Sequence, residues 1–154
     1  EIRKITRAHD ALFIVNDRVD VALAAEADGV HLGWRSLDPV VVRDVVNSDG
    51  PFLIGASTHN IVEVRRVLHA HVDYLIYGPL FPTPSKEGLV DSVGVQSLKK
   101  IAVPSPVPVI GVGGIDATNV AEVYRARATG AALRPFMVMR SSARLVTSQR
   151  TPRV

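Results

Sequence analysis

Short, uninterrupted apolar runs recur along the chain, and their spacing restricts the fold more than any other feature of the sequence. The runs are LFIV (12–15), GVHLG (29–33), FLIGAS (52–57), YLIYG (74–78), VPVIGVGGI (107–115) and, more weakly, AALRPFMVM (131–139). Because they are continuous rather than alternating, they predict β-strands that are buried on both faces. Successive runs begin 17 to 33 residues apart, which leaves room for a helix between them.

The segments between the runs carry the start signals of helices. Asp38 and Pro39 supply an N-cap and a first-turn proline before VVVRDVV. Asn60, with Glu63 three residues later, predicts a capping box before an apolar stripe. Two further helices are predicted in DRVDVALAAEA and, starting at Thr118 or Asn119, in VAEVYRARA. Alternating strands and helices indicate repeated βαβ units and a parallel sheet.

Such a sheet can stay open and doubly wound or can close into a (β/α)8 TIM barrel. Both architectures bind ligands where the strands end, and polar and glycine residues cluster there in this sequence. GVGGI lacks the full spacing of a dinucleotide fingerprint, and no acidic residue follows about twenty residues later in a strand. We therefore predict an α/β TIM barrel, incomplete because only about six βα units are visible.

Composition excludes several classes of protein. No apolar stretch reaches the ~18–20 residues of a membrane helix, and no signal-peptide pattern is visible. Cysteine is absent, which removes disulfides and thiolate metal sites, and we expect a cytoplasmic protein. Five of the 18 basic residues lie in 134–154, which holds no acidic residue, so 1–133 carries 13 basic and 15 acidic residues. We predict a partial barrel domain over 1–133 and a basic, poorly ordered tail over 134–154, with no nucleic-acid partner.

Two loops have the chemistry of a phosphate site. Thr83, Ser85 and Lys86 follow a strand end in GPLFPTPSKEG, where two hydroxyls and an ammonium suit a phosphate dianion. Gly113 and Gly114 follow another strand, and their backbone N–H groups can approach an anion without interference from Cβ. The alternatives are an ordinary surface loop and a tight turn that needs positive φ.

Polar residues at other strand ends are candidates for catalysis or metal binding. His59, in STHN, can transfer a proton near neutral pH, or can merely cap the next helix. His31 lies inside a strand and is predicted to be a hydrogen-bonded group facing the barrel interior. Asn16 and Asp17 could contact a heteroaromatic ring and a metal, or could serve as an N-cap. No second carboxylate stands at the next strand end, which argues against a metal site.

Four blocks together, FIVNDRVDVALAAEADGVHLG, GASTHN, YLIYGPLFPTPSKEG and VPVIGVGGI, resemble the thiamine-phosphate synthase and thiazole tautomerase family. The similarity runs from about residue 10 to about residue 125 in the family's order and spacing. It implies a (β/α)8 barrel that acts on a thiazole phosphate in thiamine biosynthesis. In the synthase branch a pyrimidine pyrophosphate ionises, with Mg²⁺ on the pyrophosphate, and the thiazole nitrogen captures the cation. In the tautomerase branch a proton shift aromatises a thiazole carboxylate phosphate without metal.

The resemblance also assigns roles to residues. It places Asn16 on the pyrimidine and makes Asp17 one Mg²⁺ ligand. It places Gly114 on the thiazole phosphate and His59 at the position of the tautomerase's proton-transfer histidine. The implied pyrophosphate contacts are Ser57, Thr83, Ser85 and Lys86.

Three departures from the family pattern guide the choice between branches. Trp34, Arg35 and Ser36 stand where the synthase pattern has Gln-Glu-Asp, whose aspartate is the other metal ligand. The family's first two strands are expected before Glu1, and GAALRPFMVMRSS departs from a clean last strand. We therefore predict a cofactor-free transferase or isomerase relative of the tautomerase type. The alternatives are a Mg²⁺-dependent thiamine-phosphate synthase and a non-catalytic phosphate-binding relative. The expected partner is a small phosphate or pyrophosphate, and neither a membrane nor a nucleic acid.

Overall fold

The computed structural model describes residues 1–46, 51–82, 91–133 and 137–138. The helices are α1 (Ile2–Ala8), α2 (Val19–Ala24), α3 (Pro39–Val46), α4 (Ile61–His69), α5 (Gly94–Ala102) and α6 (Val120–Arg125). The strands are β1 (Ile14–Asn16), β2 (Gly29–Leu32), β3 (Leu53–Thr58), β4 (Tyr74–Tyr77), β5 (Val109–Val112), β6 (Gly130–Ala132) and β7 (Met137–Val138).

The strands form one sheet whose spatial order equals their order in the chain. β1 to β6 are parallel, and β7 pairs antiparallel with β6. The predicted α/β class and the parallel sheet are confirmed, and six parallel strands in sequence order are consistent with part of a TIM-like barrel. A closed eight-stranded barrel is not shown. The weak last run contains two short strands rather than one, and the second, β7, pairs antiparallel with the first, β6.

The two faces of the sheet differ in burial. Alternate residues such as Ile54 and Leu75 are fully buried and pack against helix residues such as Val42, Leu98 and Val123. The other set forms what we call the inner face: Asn16, His31, Ser57, Tyr74, Ile76 and Ile110. Tyr74 is buried, as are Leu53 and Gly55, which share this face by alternation, whereas His31, Ser57, Ile76 and Ile110 are half-buried and Asn16 is exposed. The prediction of strands buried on both faces therefore holds for only part of this side. The reason is that the buried helix residues of the core pack against the opposite face.

Local capping explains where two helices begin. Asn60 caps α4 as predicted, and its side chain accepts hydrogen bonds from the N–H groups of Val62 and Glu63, both at 3.0 Å. α2 begins later than expected, at Val19, with Arg18 as its N-cap. The interpretation of Asn16 and Asp17 as the N-cap is therefore wrong: Asn16 is the last residue of β1, and Asp17 lies in the loop that follows.

Aspartates fasten the amino-terminal edge of the sheet. Asp28, just before β2, accepts hydrogen bonds from Arg3 (2.6 Å) and from the N–H of Phe13 (2.7 Å). Asp73, just before β4, accepts from Arg43 (2.6 Å) and from a backbone N–H of β3 (2.7 Å). Each carboxylate joins neighbouring strands and is neutralised by an arginine. The aspartates at this edge are used in structural hydrogen bonds, whereas the candidate site lies at the carboxyl edge.

Candidate functional site

The loops after β1 and β2 are joined to each other at the carboxyl edge of the sheet. Ser36 donates a hydrogen bond from Oγ to Asp17 Oδ1 at 2.6 Å and accepts one from the N–H of Gly33 at 2.9 Å. The N–H of Asp17 donates to the carbonyl of His31 at 2.8 Å. Asp17 has φ 68°, a left-handed conformation that aspartate tolerates better than most residues. The carboxylate is thereby held at the strand end and is partly occupied by the serine hydroxyl.

The same β2 loop carries an exposed aromatic–cation pair. Trp34 keeps 79% of its surface exposed, and the guanidinium carbon of Arg35 lies 4.5 Å from the centroid of the indole ring. This distance is within the range of a cation–π interaction. The pair lies between Gly33 and Ser36, in the turn that is bonded to Asp17.

Strand register places four residues side by side across the sheet: Asn16, His31, Gly55 and Tyr74. The rings of His31 and Tyr74 stack, with centroids 5.7 Å apart and planes at 24°. They can meet because Gly55 lies between them, where an added Cβ would be 2.0 Å from Cζ of Tyr74. His31 Nε2 also lies 2.8 Å from Oγ of Ser57, which confirms the prediction of a hydrogen-bonded histidine.

Burial keeps both rings uncharged at neutral pH. It lowers the pKa of His31 to about 4. Burial, followed by the negative charge of Asp73, raises the pKa of Tyr74 to about 12. His31 Nδ1 is buried and has no hydrogen-bond partner among the described residues. The inner face therefore carries a half-buried, uncharged histidine stacked on a buried tyrosine, and a serine hydroxyl bonded to that histidine.

His59 follows β3 at the same edge and is oriented by the next helix. Its Nδ1 lies 3.0 Å from Oε2 of Glu63, and its backbone N–H donates to the same oxygen at 2.7 Å. Within the described ranges no residue bonds to Nε2. The histidine therefore takes part in the cap of α4, as its structural alternative predicted, and still has one ring nitrogen available.

The glycine pair after β5 packs against the loop after β4. Gly113 and Gly114 have φ of 92° and 63°, and added Cβ atoms would lie 2.5 Å from Pro79 Cβ and 2.6 Å from the carbonyl oxygen of Pro82. The Gly114 carbonyl accepts a hydrogen bond from Nδ2 of Asn119 at 2.9 Å. Both the backbone conformation and the space require glycine. No described residue accepts a hydrogen bond from the N–H groups of this pair, so they are available to an anion.

The predicted site residues divide into two groups. Asn16, Asp17, Ser57, His59, Gly113 and Gly114 lie at or beside one edge of the sheet. Thr83, Ser85 and Lys86 lie outside the described residues. Sequence reasoning missed Tyr74, the contact of Glu63 with His59 and the contact of Ser36 with Asp17. The spacing of four residues between His59 and Glu63 was a signal for their contact, because side chains four apart are neighbours on a helix. The other two depend on strand register.

The described residues do not fit a resident Mg²⁺ ion. They contain no group of three or more histidine, cysteine, aspartate or glutamate side chains that could hold a metal. At the carboxyl edge Asp17 supplies one carboxylate, and its Oδ1 already accepts a hydrogen bond from Ser36. In phosphate sites Mg²⁺ is usually held by one or two carboxylates together with phosphate oxygens of the substrate, so Asp17 alone does not form a complete protein site for it.

Comparison with known proteins decides the family. The model of the family described as thiamine monophosphate synthase matches residues 1–135. The chain belongs to this family. It is 41% identical over 133 residues to a thiamine-phosphate synthase from Synechocystis, covering 86% of this chain and 38% of the relative. It is 39% identical over 132 residues to one from Archaeoglobus fulgidus, covering 86% and 60%. The chain thus spans roughly two fifths to three fifths of the length of these curated relatives.

Solved structures agree with this assignment. The thiamine phosphate pyrophosphorylase from Pyrococcus furiosus matches with a TM-score of 0.75 and 37% identity, covering 85% of this chain and 61% of that one. A structure described as native KDPGal matches with a TM-score of 0.62 at 21% identity, which shows a shared fold alone.

The predicted family resemblance is confirmed, but the order of the functional interpretations changes. The curated relatives above are named synthases, and they support the synthase alternative rather than the tautomerase interpretation that the Trp34-Arg35-Ser36 departure favoured. In the part of the chain that the structure describes, no helix is long and apolar enough to cross a membrane.

Proposed function

We propose that the protein is a thiamine-phosphate synthase that couples hydroxymethylpyrimidine pyrophosphate with thiazole phosphate. The bond between the pyrimidine methylene carbon and the pyrophosphate oxygen breaks, and the pyrophosphate leaves with the electron pair. The lone pair of the thiazole nitrogen then forms the new C–N bond to the methylene cation. Two features of one sheet carry the proposal: an uncharged inner face around His31, and a glycine loop after β5 whose N–H groups have no described acceptor, in a chain about 40% identical to synthases.

The neutral inner face suits a short-lived cation. With a pKa of about 4, His31 carries no positive charge at neutral pH that would repel the methylene cation. Tyr74 is only 6% exposed, and it stacks on the half-buried ring of His31, so the surface at this point is aromatic and uncharged. Asn16 is the register partner of His31, where its amide can bond a pyrimidine that lies against the half-buried imidazole.

His31 prepares Ser57 to donate a hydrogen bond. A buried N–H without an acceptor is rarer in proteins than a buried lone pair without a donor, so the unpartnered Nδ1 is assigned as the unprotonated nitrogen. The proton then lies on Nε2 and is donated to Oγ of Ser57. The hydroxyl hydrogen of Ser57 remains for an anionic oxygen of the departing pyrophosphate.

The glycine loop is the proposed holder of the thiazole phosphate. The N–H groups of Gly113 and Gly114 follow β5 and lie at the edge that the inner face reaches. We assign pyrophosphate contacts to Thr83, Ser85 and Lys86, because two hydroxyls and an ammonium group suit a phosphate anion. The family resemblance implies Mg²⁺ for the synthase branch, but none of these steps is assigned to it, because the described residues form no complete protein site for the ion.

The test is a direct assay of C–N bond formation. The protein is incubated with both substrates, and thiamine phosphate is measured by mass spectrometry. Ser57→Ala should lower kcat/KM by roughly 10- to 100-fold, the usual effect of removing a hydrogen bond to a charged group. Ser105→Ala is the matched control, since that hydroxyl bonds the Val107 carbonyl at 2.7 Å in the loop before β5. Equal losses in both variants would contradict the role of Ser57.

His59→Ala distinguishes the synthase from its alternatives. Condensation should survive this substitution, because the proposed steps need no proton transfer by His59. A wild-type protein that aromatises thiazole carboxylate phosphate, and loses that activity in His59→Ala, would favour the tautomerase instead. Saturable binding of thiazole phosphate without turnover of either kind would identify a non-catalytic relative.

A further inference from the structure

The β2 loop presents a positive charge that no described carboxylate neutralises. Five of the described arginines form an ion pair with an aspartate or glutamate, namely Arg3, Arg7, Arg18, Arg43 and Arg66, whereas Arg65, Arg125 and Arg127 form none with a described residue. Arg35 forms none within the described ranges; its close contact is the indole ring of Trp34 at 4.5 Å.

The comparison with Arg18 is informative because both arginines lie at the carboxyl edge. Arg18 donates two hydrogen bonds to the carboxylate of Asp20, at 2.8 and 2.5 Å. Two of its guanidinium N–H donors are therefore already paired with an anion. Stacking on Trp34 orders the guanidinium of Arg35 but consumes none of its five N–H donors. The donors of Arg35 are therefore free of any described carboxylate and already restricted in orientation.

The turn that carries Arg35 is fixed beside the site. The N–H of Ser36 donates to the carbonyl of Gly33 at 3.2 Å, and the serine hydroxyl joins the turn to Asp17 at 2.6 Å. Trp34 and Arg35 are thus displayed from a short closed turn next to the loop of Asn16 and Asp17. The negative charge of Asp17 at this edge would oppose a bound anion, and a neighbouring guanidinium offsets that repulsion.

We propose that Arg35, ordered by stacking on Trp34, is a pyrophosphate-binding residue of this chain and lets the pyrophosphate group bind without a divalent cation. The inference rests on the proposed function for the identity of its anion. A guanidinium offers parallel N–H donors that match two phosphate oxygens, and such charge-assisted pairs are among the strongest hydrogen bonds in proteins. Arg35 therefore performs at the β2 loop the charge neutralisation for which the described residues hold no metal-ligand set.

The experiment measures binding of inorganic pyrophosphate in the presence of EDTA. Trp34 is the single tryptophan of the chain, so its fluorescence reports on this loop, and isothermal titration calorimetry gives an independent Kd. Wild-type protein should bind saturably without metal. Arg35→Gln should raise Kd by roughly 10- to 100-fold, the range for loss of a hydrogen bond to a charged group.

Arg18→Gln is the matched control, because that arginine is paired with Asp20 and should leave the Kd unchanged. Circular dichroism melts confirm that each variant is folded. Two results would overturn the inference: wild-type binding that requires added Mg²⁺, or an Arg35→Gln Kd equal to the wild-type Kd.

Failure of the proposed function is distinguishable, because inorganic pyrophosphate binding does not depend on condensation. If Arg35-dependent binding occurs and no thiamine phosphate forms, the inference holds and the synthase proposal fails. If condensation occurs and Arg35→Gln binds pyrophosphate normally, the synthase proposal holds and the inference fails.

Discussion

Acid should destabilise the fold through His31 in a pH range where most carboxylates remain ionised. Burial lowers the pKa of this imidazole from 6.5 to about 4, whereas the unfolded chain retains the ordinary value. As pH falls from 6.5 towards 4, the unfolded state takes up a proton that the folded state does not. The stability that depends on neutral His31 is therefore fully present above pH 6.5 and is lost as pH falls from 6.5 to about 4. The slope approaches ~1.4 kcal/mol per pH unit, and the total is roughly 3 kcal/mol.

The assay is urea denaturation at half-unit intervals between pH 7 and pH 4.5, followed by circular dichroism. His31→Gln should remove most of this slope, and the difference between its stability and that of wild type isolates the histidine from the carboxylates. His69→Gln, at an exposed position on α4, should retain the wild-type slope. The reasoning is refuted if His31→Gln and wild type give parallel lines, or if the His31 ring resonance titrates near pH 6.5.

Four further substitutions test the packing, the helix cap and the charges of the fold. Gly55→Ala places a methyl group 2.0 Å from Tyr74 Cζ and should cost about 1–3 kcal/mol. Gly130→Ala, where the nearest atom is 3.6 Å away, should be neutral or stabilise by up to about 1 kcal/mol, and equal urea midpoints for the two variants would contradict the argument. Asn60→Ala removes the acceptor of two amide hydrogen bonds and should cost about 1 kcal/mol, measured as a lower Tm; an unchanged Tm would show that the cap contributes nothing. The hydrogen bond from Arg3 lowers the pKa of Asp28 below its usual value of 3.8. The stability that Asp28 contributes is therefore lost as pH falls through that lowered pKa. Asp28→Asn should therefore flatten the acid limb of a stability–pH curve, and a limb of wild-type steepness would count against it.

The sequence by itself determined the elements whose signals lie within about ten residues. Continuous apolar runs located β1 to β5, and the cap at Asn60 located α4. α1 and α5 carried weaker signals and were not predicted. α5 begins at Gly94, a poor helix former, and packs through the buried side chains of Leu98 and Ile101. Parallel strands in chain order also determined that loops at one edge would meet, so the glycine pair and the polar strand ends could be grouped in advance.

Tertiary structure decided which side chains touch within that group. The contacts of His31 with Ser57 and of Ser36 with Asp17 join residues 26 and 19 positions apart, and the stacking of His31 on Tyr74 needs Gly55 between them. Apolar periodicity predicts which face of the sheet a residue occupies. Its neighbours on that face depend on strand register, which is set by pairing with another strand. Whether a carboxylate is left for a metal or bonded to a serine, and whether a histidine is charged or neutral, therefore followed only from the assembled sheet.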